Sequence, residues 1–314
     1  MVLNVKKFRA LLTPLDFISV SFLAFLTCLS IVFASRVISW LEIVFVNMIV
    51  SSLIVALAWA AEMKKTKFLV GLHRWYCYPI VLFVFKELHL MVQPIHPYDY
   101  DQLFISIDKW VFGVNPTQWL YQFSHPVITE ILQIGYFSYY LLFIILGVEI
   151  YRRFPLKEFD HAAFMIVYGF YLSYLGYFIL PAVGPRFVLH HFSQIGVELP
   201  GLFLTETLRS IIDAGESIPK NIPNPVDFVQ RDVFPSGHTQ LTLIVLAQAF
   251  QRRLNSRWLL LSLGTLLICG TVYLRYHYVV DVLAGAIFCW ITLWTGERIV
   301  LWWNRPVATS RPAS

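Results

Sequence analysis

The chain has 314 residues, 58% of them hydrophobic and only 14% charged, and a mean hydropathy of +0.64. A water-soluble domain carries roughly 25% charged residues, so this composition excludes a soluble globular protein and points to a chain dissolved in lipid. The net charge of +5 is not gathered on a soluble face, which excludes nucleic acid as a partner.

Apolar runs near the ~20 residues that a spanning helix needs fall at about 14–35, 42–61, 76–95, 127–151, 162–182, 238–251, 257–275 and 280–303. They predict an all-α, polytopic transmembrane helix bundle of about eight spans. The first run is long, lacks a small-residue cleavage site and is followed by further spans, so it reads as a retained helix and not a signal peptide. The third carries Lys86, Glu87 and His89, ionisable groups that are costly inside a membrane unless paired or functional; the sixth is short. With the N-terminus inside, sixteen of the 24 Lys and Arg residues fall on inner segments, the bias of the positive-inside rule. Both termini are then expected to be cytoplasmic. The four cysteines (Cys28, Cys77, Cys269 and Cys289) form no CxxC pair and read as small apolar residues in or beside spans.

Two long connections lie on the outer side. The first, about 96–126, contains Asp99, Asp101 and Asp108, and places Leu103, Phe104, Ile107, Trp110 and Val111 on one face of a helix. That pattern predicts an amphipathic helix in the membrane interface. The second, about 183–237, is rich in Pro, Asn and Asp and carries a second amphipathic segment around 202–213. The chain divides into an N-terminal three-span region with its interfacial loop (1–126), a catalytic helix core (127–303) and a cytoplasmic tail (304–314).

Three short stretches carry chemistry. Gly184-Pro185-Arg186 follows the fifth span, Pro235-Ser236-Gly237-His238 opens the sixth, and Arg275-Tyr276-His277, followed by Asp281, precedes the eighth. Alternating topology puts all three on the outer side. Each suits a phosphate. Arg186 offers a planar fork for bidentate contact. Ser236 and Gly237 sit where a helix begins, with free N–H groups and a positive dipole end. His277 and Asp281 are four apart and share a helix face, so the carboxylate can fix the imidazole tautomer and leave the other nitrogen free to attack. His238 can protonate a departing oxygen and later activate the acceptor. The sixth span, Ser236 to Gln251, covers roughly 24 Å at about 1.5 Å per residue, short of the ~30 Å hydrocarbon core. His238 is therefore expected slightly below the outer surface.

These stretches, as PAVGPRF, FPSGHTQ and RYHYVVDVLAG, resemble the signature of the type 2 phosphatidic acid phosphatase superfamily. They look closest to its inositolphosphotransferase branch, which contains inositol phosphorylceramide synthase. DYDQLFISIDKWVFG resembles that branch too, more loosely. The resemblance implies a metal-independent enzyme, without cofactor, that forms a phosphohistidine intermediate. His277 matches the nucleophile, Asp281 its orienter, His238 the acid/base, and Arg186, Ser236 and Gly237 the phosphate-binding positions. Two positions depart from the common pattern. Ile179 stands where the first motif has a lysine, and Thr271 where the third has an arginine. Arg275, two residues before His277, and Lys86 are the candidates to replace those charges.

Ordinary readings apply elsewhere. His73, His96, His125 and His161 read as interfacial anchors, and His190 and His191 are secondary candidates near Arg186. Of Lys86, Glu87 and His89, Lys86 and His89 share a helix face; a mutually satisfied structural pair is the first reading and a headgroup or phosphate contact the second. Three functions follow: a lipid-phosphate phosphatase acting at the extracytoplasmic face, in which water attacks the phosphohistidine; a lipid phosphotransferase, in which an alcohol attacks it; and a transporter. The transporter would need ionisable residues at mid-bilayer in several helices, or inverted repeats, and the sequence shows neither. The expected partners are a lipid phosphate or phospholipid and the bilayer.

Overall fold

The computed structural model describes residues 11–219 and 224–305, and these contain helices and no strand. The basic residues Lys6, Lys7, Arg9 and Arg311 and nearly all of the expected tail lie outside the described residues. In chain order the helices are α1 (Pro14–Val32), α2 (Trp40–Lys64), α3 (Lys67–Trp75), α4 (Cys77–Ile95), α5 (Asp101–Phe112), α6 (Pro116–Leu120), α7 (Pro126–Phe137), α8 (Tyr139–Arg153), α9 (Leu156–Ile179), α10 (Pro185–Val188), α11 (Ile195–Glu198), α12 (Thr205–Gly215), α13 (Gly237–Gln251), α14 (Arg257–Tyr273) and α15 (Val279–Trp303).

Local chemistry sets the boundaries. Pro14 occupies the first turn of α1, where its missing N–H costs nothing. Thr13 and Asp16 form a reciprocal capping box, with Thr13 N–H donating to Asp16 Oδ2 at 2.7 Å and Asp16 N–H donating to Thr13 Oγ1 at 3.2 Å. Gly113, at φ +73°, stops α5. Helix α15 begins in a similar way, with the Tyr278 N–H donating to Asp281 Oδ2 at 2.9 Å.

Helix α9 is the central post and packs against α1, α4, α8, α13 and α15. Helix α2 lies at the edge and turns Leu41, Phe45, Met48, Leu53, Trp59 and Met63 outward. In water such a surface would be an unsustainable apolar patch; in a bilayer it is the lipid face. The chain is an integral membrane protein.

All eight expected runs are helical, but they are not eight equal spans. Among the described residues, α1, α2, the joined stretch α3–α4, α9 and α15 are long and apolar enough to cross a membrane. A sixth is made by α7 and α8 together, bent by 47° at Ser138. Helices α13 and α14 have 15 and 17 residues, below the usual spanning length. Both stop early at the end where the three motif stretches gather: α13 starts at the Ser236 cap and α14 ends before the Leu274–Tyr278 turn.

Several polar residues in the helices have partners that the sequence did not disclose. His73 is no simple anchor: its Nε2 lies 3.0 Å from Asp16, whose Oδ1 also accepts from the Tyr76 hydroxyl at 2.7 Å. His161 meets Glu297 at 2.9 Å and Arg252 at 3.0 Å. His125 caps α7, accepting from the Val127 N–H. Lys86, Glu87 and His89 do not satisfy one another. Glu87 takes a hydrogen bond from Asn47 on α2 at 2.6 Å, while Lys86 reaches the end of α12, donating to the Gly215 carbonyl and to Ser217 Oγ.

Candidate active site

The backbone ties the three motif stretches together. The Arg186 N–H donates to the Arg275 carbonyl at 3.1 Å, and the Ser236 N–H to the Asp281 carbonyl at 3.0 Å. The Thr271 carbonyl accepts from both Tyr276 and His277 N–H groups, at 2.9 and 3.0 Å. Thr271, the position lacking an arginine, thus holds the His277 turn through its main chain. Gly285 allows α15 to lie against α13, since a Cβ there would sit 2.6 Å from the Ser236 carbonyl oxygen. Gly184 takes φ +98°, a conformation suited to glycine.

Three aspartates of the connection between α4 and α6 hold this arrangement in place. Asp101 accepts from the Val183 and Gly184 N–H groups at 3.0 and 2.8 Å and from the Tyr278 hydroxyl at 2.7 Å. Asp108 accepts from Val279 and Val280, the first N–H groups of α15, at 2.8 and 2.9 Å, where the helix dipole favours a carboxylate. Asp99 pairs with Arg231 at 3.2 Å, just before the second motif. The expected amphipathic helix α5 therefore works with both faces. Trp110, Val111 and Leu103 face outward, while Asp101, Phe104 and Asp108 are buried against the motif loops. The second expected helix is α12, whose start is held by Glu130, which accepts from Leu202, Leu204 and Thr205. Asp101→Ala would strand two buried N–H groups and a tyrosine hydroxyl, a loss of about 2–4 kcal/mol. It is expected to lower the melting temperature and to release the Gly184–Arg186 turn, detectable as protease cleavage there.

A cavity of about 540 Å³ opens beneath the motifs, and Arg186, Gly237, His238 and His277 all line it. His238 Nδ1 lies 3.3 Å from His277 Nε2. His277 Nδ1 faces Asp281 Oδ2 at 3.7 Å, beyond hydrogen-bond length. The orienting contact expected of Asp281 is thus in place by direction but not closed, and its Oδ2 is engaged by the Tyr278 N–H. No motif pointed to the rings that hold His238: Tyr136 and Tyr139 pack on it at centroid distances of 4.6 and 4.4 Å, and Tyr136 stacks on Tyr276 at 4.1 Å.

Arg186 is buried, with its guanidinium between the rings of Tyr276 and Phe187 at 4.6 and 4.7 Å. Its nitrogens meet Asp213 at 3.1 Å and Glu216, both from α12 and its end. The other expected phosphate ligands are placed differently. The Ser236 hydroxyl is buried and caps α13, accepting from the Thr239 N–H at 3.2 Å. Arg275 turns away from the cavity to pair with Glu198 and cover the Tyr121 ring. Lys86 is held at the end of α12 and lines no part of the cavity. His190 bonds to Thr117 at 3.0 Å, also away from the cavity. Ile179 points outward at 65% exposure, so nothing takes the place of a lysine there. Among the described residues no three His, Cys, Asp or Glu side chains are grouped to hold a metal ion.

Asp232, which no motif flagged, lines the cavity beside Arg186. Burial pushes its carboxyl up to about 6, against the pull of the Arg186 charge.

The model of the PAP2 superfamily matches residues 102–295, more than half of the chain. The chain belongs to the PAP2 superfamily. No curated protein and no solved structure matches it. The matched PAP2 region begins within α5, one residue after Asp101, and ends inside α15, so it spans all three motif stretches and the α5 carboxylate Asp108. PAP2 membership fits phosphatase or phosphotransferase chemistry on lipid phosphates and a membrane-embedded fold.

Proposed function

We propose that this PAP2 protein is a lipid phosphatase that works through a phosphohistidine at His277, on the extracytoplasmic side, with both termini cytoplasmic. The observation that carries the reading is the facing pair of imidazoles, 3.3 Å apart, at the end of a cavity that also holds the Arg186 guanidinium.

The nitrogen not turned to Asp281, His277 Nε2, is the nucleophile. Burial and the neighbouring Arg186 charge hold the His238 imidazole pKa below its ordinary value in the free protein, so the imidazolium forms as the substrate's negative charge enters and draws a proton onto His238. The imidazole nitrogens touch at 3.3 Å, so the two rings part as the phosphate of the lipid enters between them, with Arg186 and the α13 N-terminus on its oxygens. The Nε2 lone pair forms the N–P bond as the P–O bond to the lipid breaks, and His238 gives its proton to the departing oxygen. A water then attacks phosphorus, His238 takes back a proton, and the N–P electron pair returns to His277. Lipid phosphate and water become lipid alcohol and inorganic phosphate. Asp281 favours the Nδ1–H tautomer of His277 and stabilises the charge on its ring during transfer. For Ser236 the observed cap makes a helix-positioning role the better reading, and for Arg275 and Lys86 a structural one.

The alternative is a lipid phosphotransferase of the inositol phosphorylceramide synthase type, using the same residues with an alcohol as acceptor. A water-sized acceptor site adjoins the cavity. The polar side pocket that shares Tyr177 and Asp232 with the cavity, and is lined by His89, Gln93 and Gln230, has a volume of about 20 Å³. One water needs roughly 10–15 Å³ and two to four polar partners; a polyol needs several times more. Purified protein in nanodiscs, given a lipid phosphate labelled on phosphorus together with free inositol, is expected to release inorganic phosphate as the sole labelled product. Label appearing in a second lipid or in a polyol phosphate would replace hydrolysis by transfer.

Asp232 adds a pH dependence. Above pH ~6 its carboxylate is charged and repels the substrate dianion; below, it is neutral. Wild-type KM should therefore exceed that of Asp232→Asn by about two- to tenfold near pH 8 and match it near pH 5. Comparing the two proteins cancels the substrate's own second ionisation near pH 6. A ratio that stays constant with pH would remove Asp232 from the site.

A further inference from the structure

The cavity is far larger than a phosphate needs, and its shape is informative. Helix α9 lines it from Tyr177 at the histidine end through Tyr174, Phe170, Val167 and Ala163 to Phe159 at the far end. The stretch from Phe159 to Tyr177 covers roughly 27 Å at about 1.5 Å per residue. A volume of about 540 Å³ drawn out along that length is an elongated apolar channel, a shape suited to a hydrocarbon chain.

The cavity also opens sideways. Leu82 on α4, Tyr140 and Ile144 on α8, and Ile211 on α12 line it and yet are 50, 53, 46 and 50% exposed. Side chains that belong both to the wall and to the lipid face mark an opening between α4 and α8, under α12. Both helices pack on α9, and they meet each other lower down, where the Tyr78 hydroxyl donates to the Phe143 carbonyl at 2.7 Å. Gly147 makes room for that contact, since a Cβ there would collide with the Tyr78 hydroxyl.

We propose that a hydrocarbon chain of the lipid phosphate lies inside the bundle, admitted from the bilayer between α4 and α8, and that the floor at Cys77, Tyr78, Gly147 and Phe159 sets the longest chain accepted. The proposal rests on the lipid-phosphatase reading of the same site. The apolar wall runs unbroken from the imidazole pair to this floor, so a phosphate held at Arg186 directs its own chain down the cavity.

The test is equilibrium binding of radiolabelled octyl- and hexadecylphosphonate, which cannot be hydrolysed, to the full chain in nanodiscs. The wild type should bind the hexadecyl ligand several-fold more tightly. Val167→Phe, about 15 Å down the wall from Tyr177, should erase that preference and leave octyl affinity within about twofold. Ile144→Trp, on the exposed rim where added bulk does not disturb packing, should slow hexadecyl association several-fold and leave hydrolysis of nitrophenyl phosphate unchanged. A wild type without chain-length preference overturns the proposal, as does an Ile144→Trp protein that takes up the long ligand at the wild-type rate. Failure of the phosphatase reading shows separately, as no release of nitrophenol by the wild-type protein.

Discussion

His277→Ala is expected to reduce turnover of any phosphate ester by roughly four to six orders of magnitude, because it removes the atom that forms the bond to phosphorus. The bundle should survive. The His277 ring meets His238 at 3.3 Å, but the turn that carries it is held by its main-chain N–H, which donates to the Thr271 carbonyl at 3.0 Å. Alanine keeps that bond. Helix content by circular dichroism and the melting temperature should stay near wild type while activity disappears. An acid-labile, base-stable phosphoryl label trapped on the wild-type protein during turnover should be absent from the variant. A His277→Ala protein that still turns over within tenfold of wild type would remove His277 as nucleophile, whatever the state of the fold. Asp281→Asn is the companion variant, since it keeps an oxygen for the Tyr278 N–H and loses the charge facing Nδ1.

The reason so much of this site could be read from sequence is that its chemistry is written locally. A serine and a glycine before an apolar run mark a helix start, and His277 and Asp281 share a face because four residues make about one turn. Membrane alternation then predicts that three distant stretches share a surface, and the backbone bonds from Arg186 to Arg275 and from Ser236 to Asp281 join them. What could not be read depends on tertiary partners. Nothing near Arg275 announces that Glu198 will take its charge, and nothing in α4 announces that Lys86 will close on the end of α12. Asp99, Asp101 and Asp108 looked like the polar side of an interfacial helix; their contacts with the motif loops are visible only once those loops are folded. The span count is hard to read for a related reason. Counting apolar residues does not register that a helix ends early at a recessed site, or that Ser138 breaks one run into two.

The occupancy of Arg186 bears on how the site is prepared. A guanidinium buried without partners would be costly, and here Asp213 and Glu216 satisfy it. Two carboxylates present oxygens much as a phosphate does, and both come from the segment that roofs the cavity. Under the proposed mechanism an incoming phosphate takes over these contacts at least in part, and α12 adjusts as it does so. The aromatic walls of Tyr276 and Phe187 keep the guanidinium plane in place through that exchange.

His238→Ala carries the second large effect, and its size should depend on the leaving group. With an alkyl lipid phosphate the departing alkoxide needs a proton, and a positioned acid contributes about 10²- to 10⁴-fold; the loss in kcat should be of that order. Nitrophenolate leaves without a proton, so the first step with nitrophenyl phosphate should be nearly spared. The second step is not, because the same imidazole must take a proton from the attacking water. Phosphoenzyme should then accumulate, and nitrophenol should appear as a burst equal to the enzyme present, followed by a slow steady rate. The ring also fills space between Tyr136 and Tyr139, so some loss of stability accompanies the change, but a packing defect would slow both substrates alike and give no burst. Equal losses for the lipid and the nitrophenyl ester, with no burst, would leave His238 as a spacer between two tyrosines and would require another acid for the leaving group.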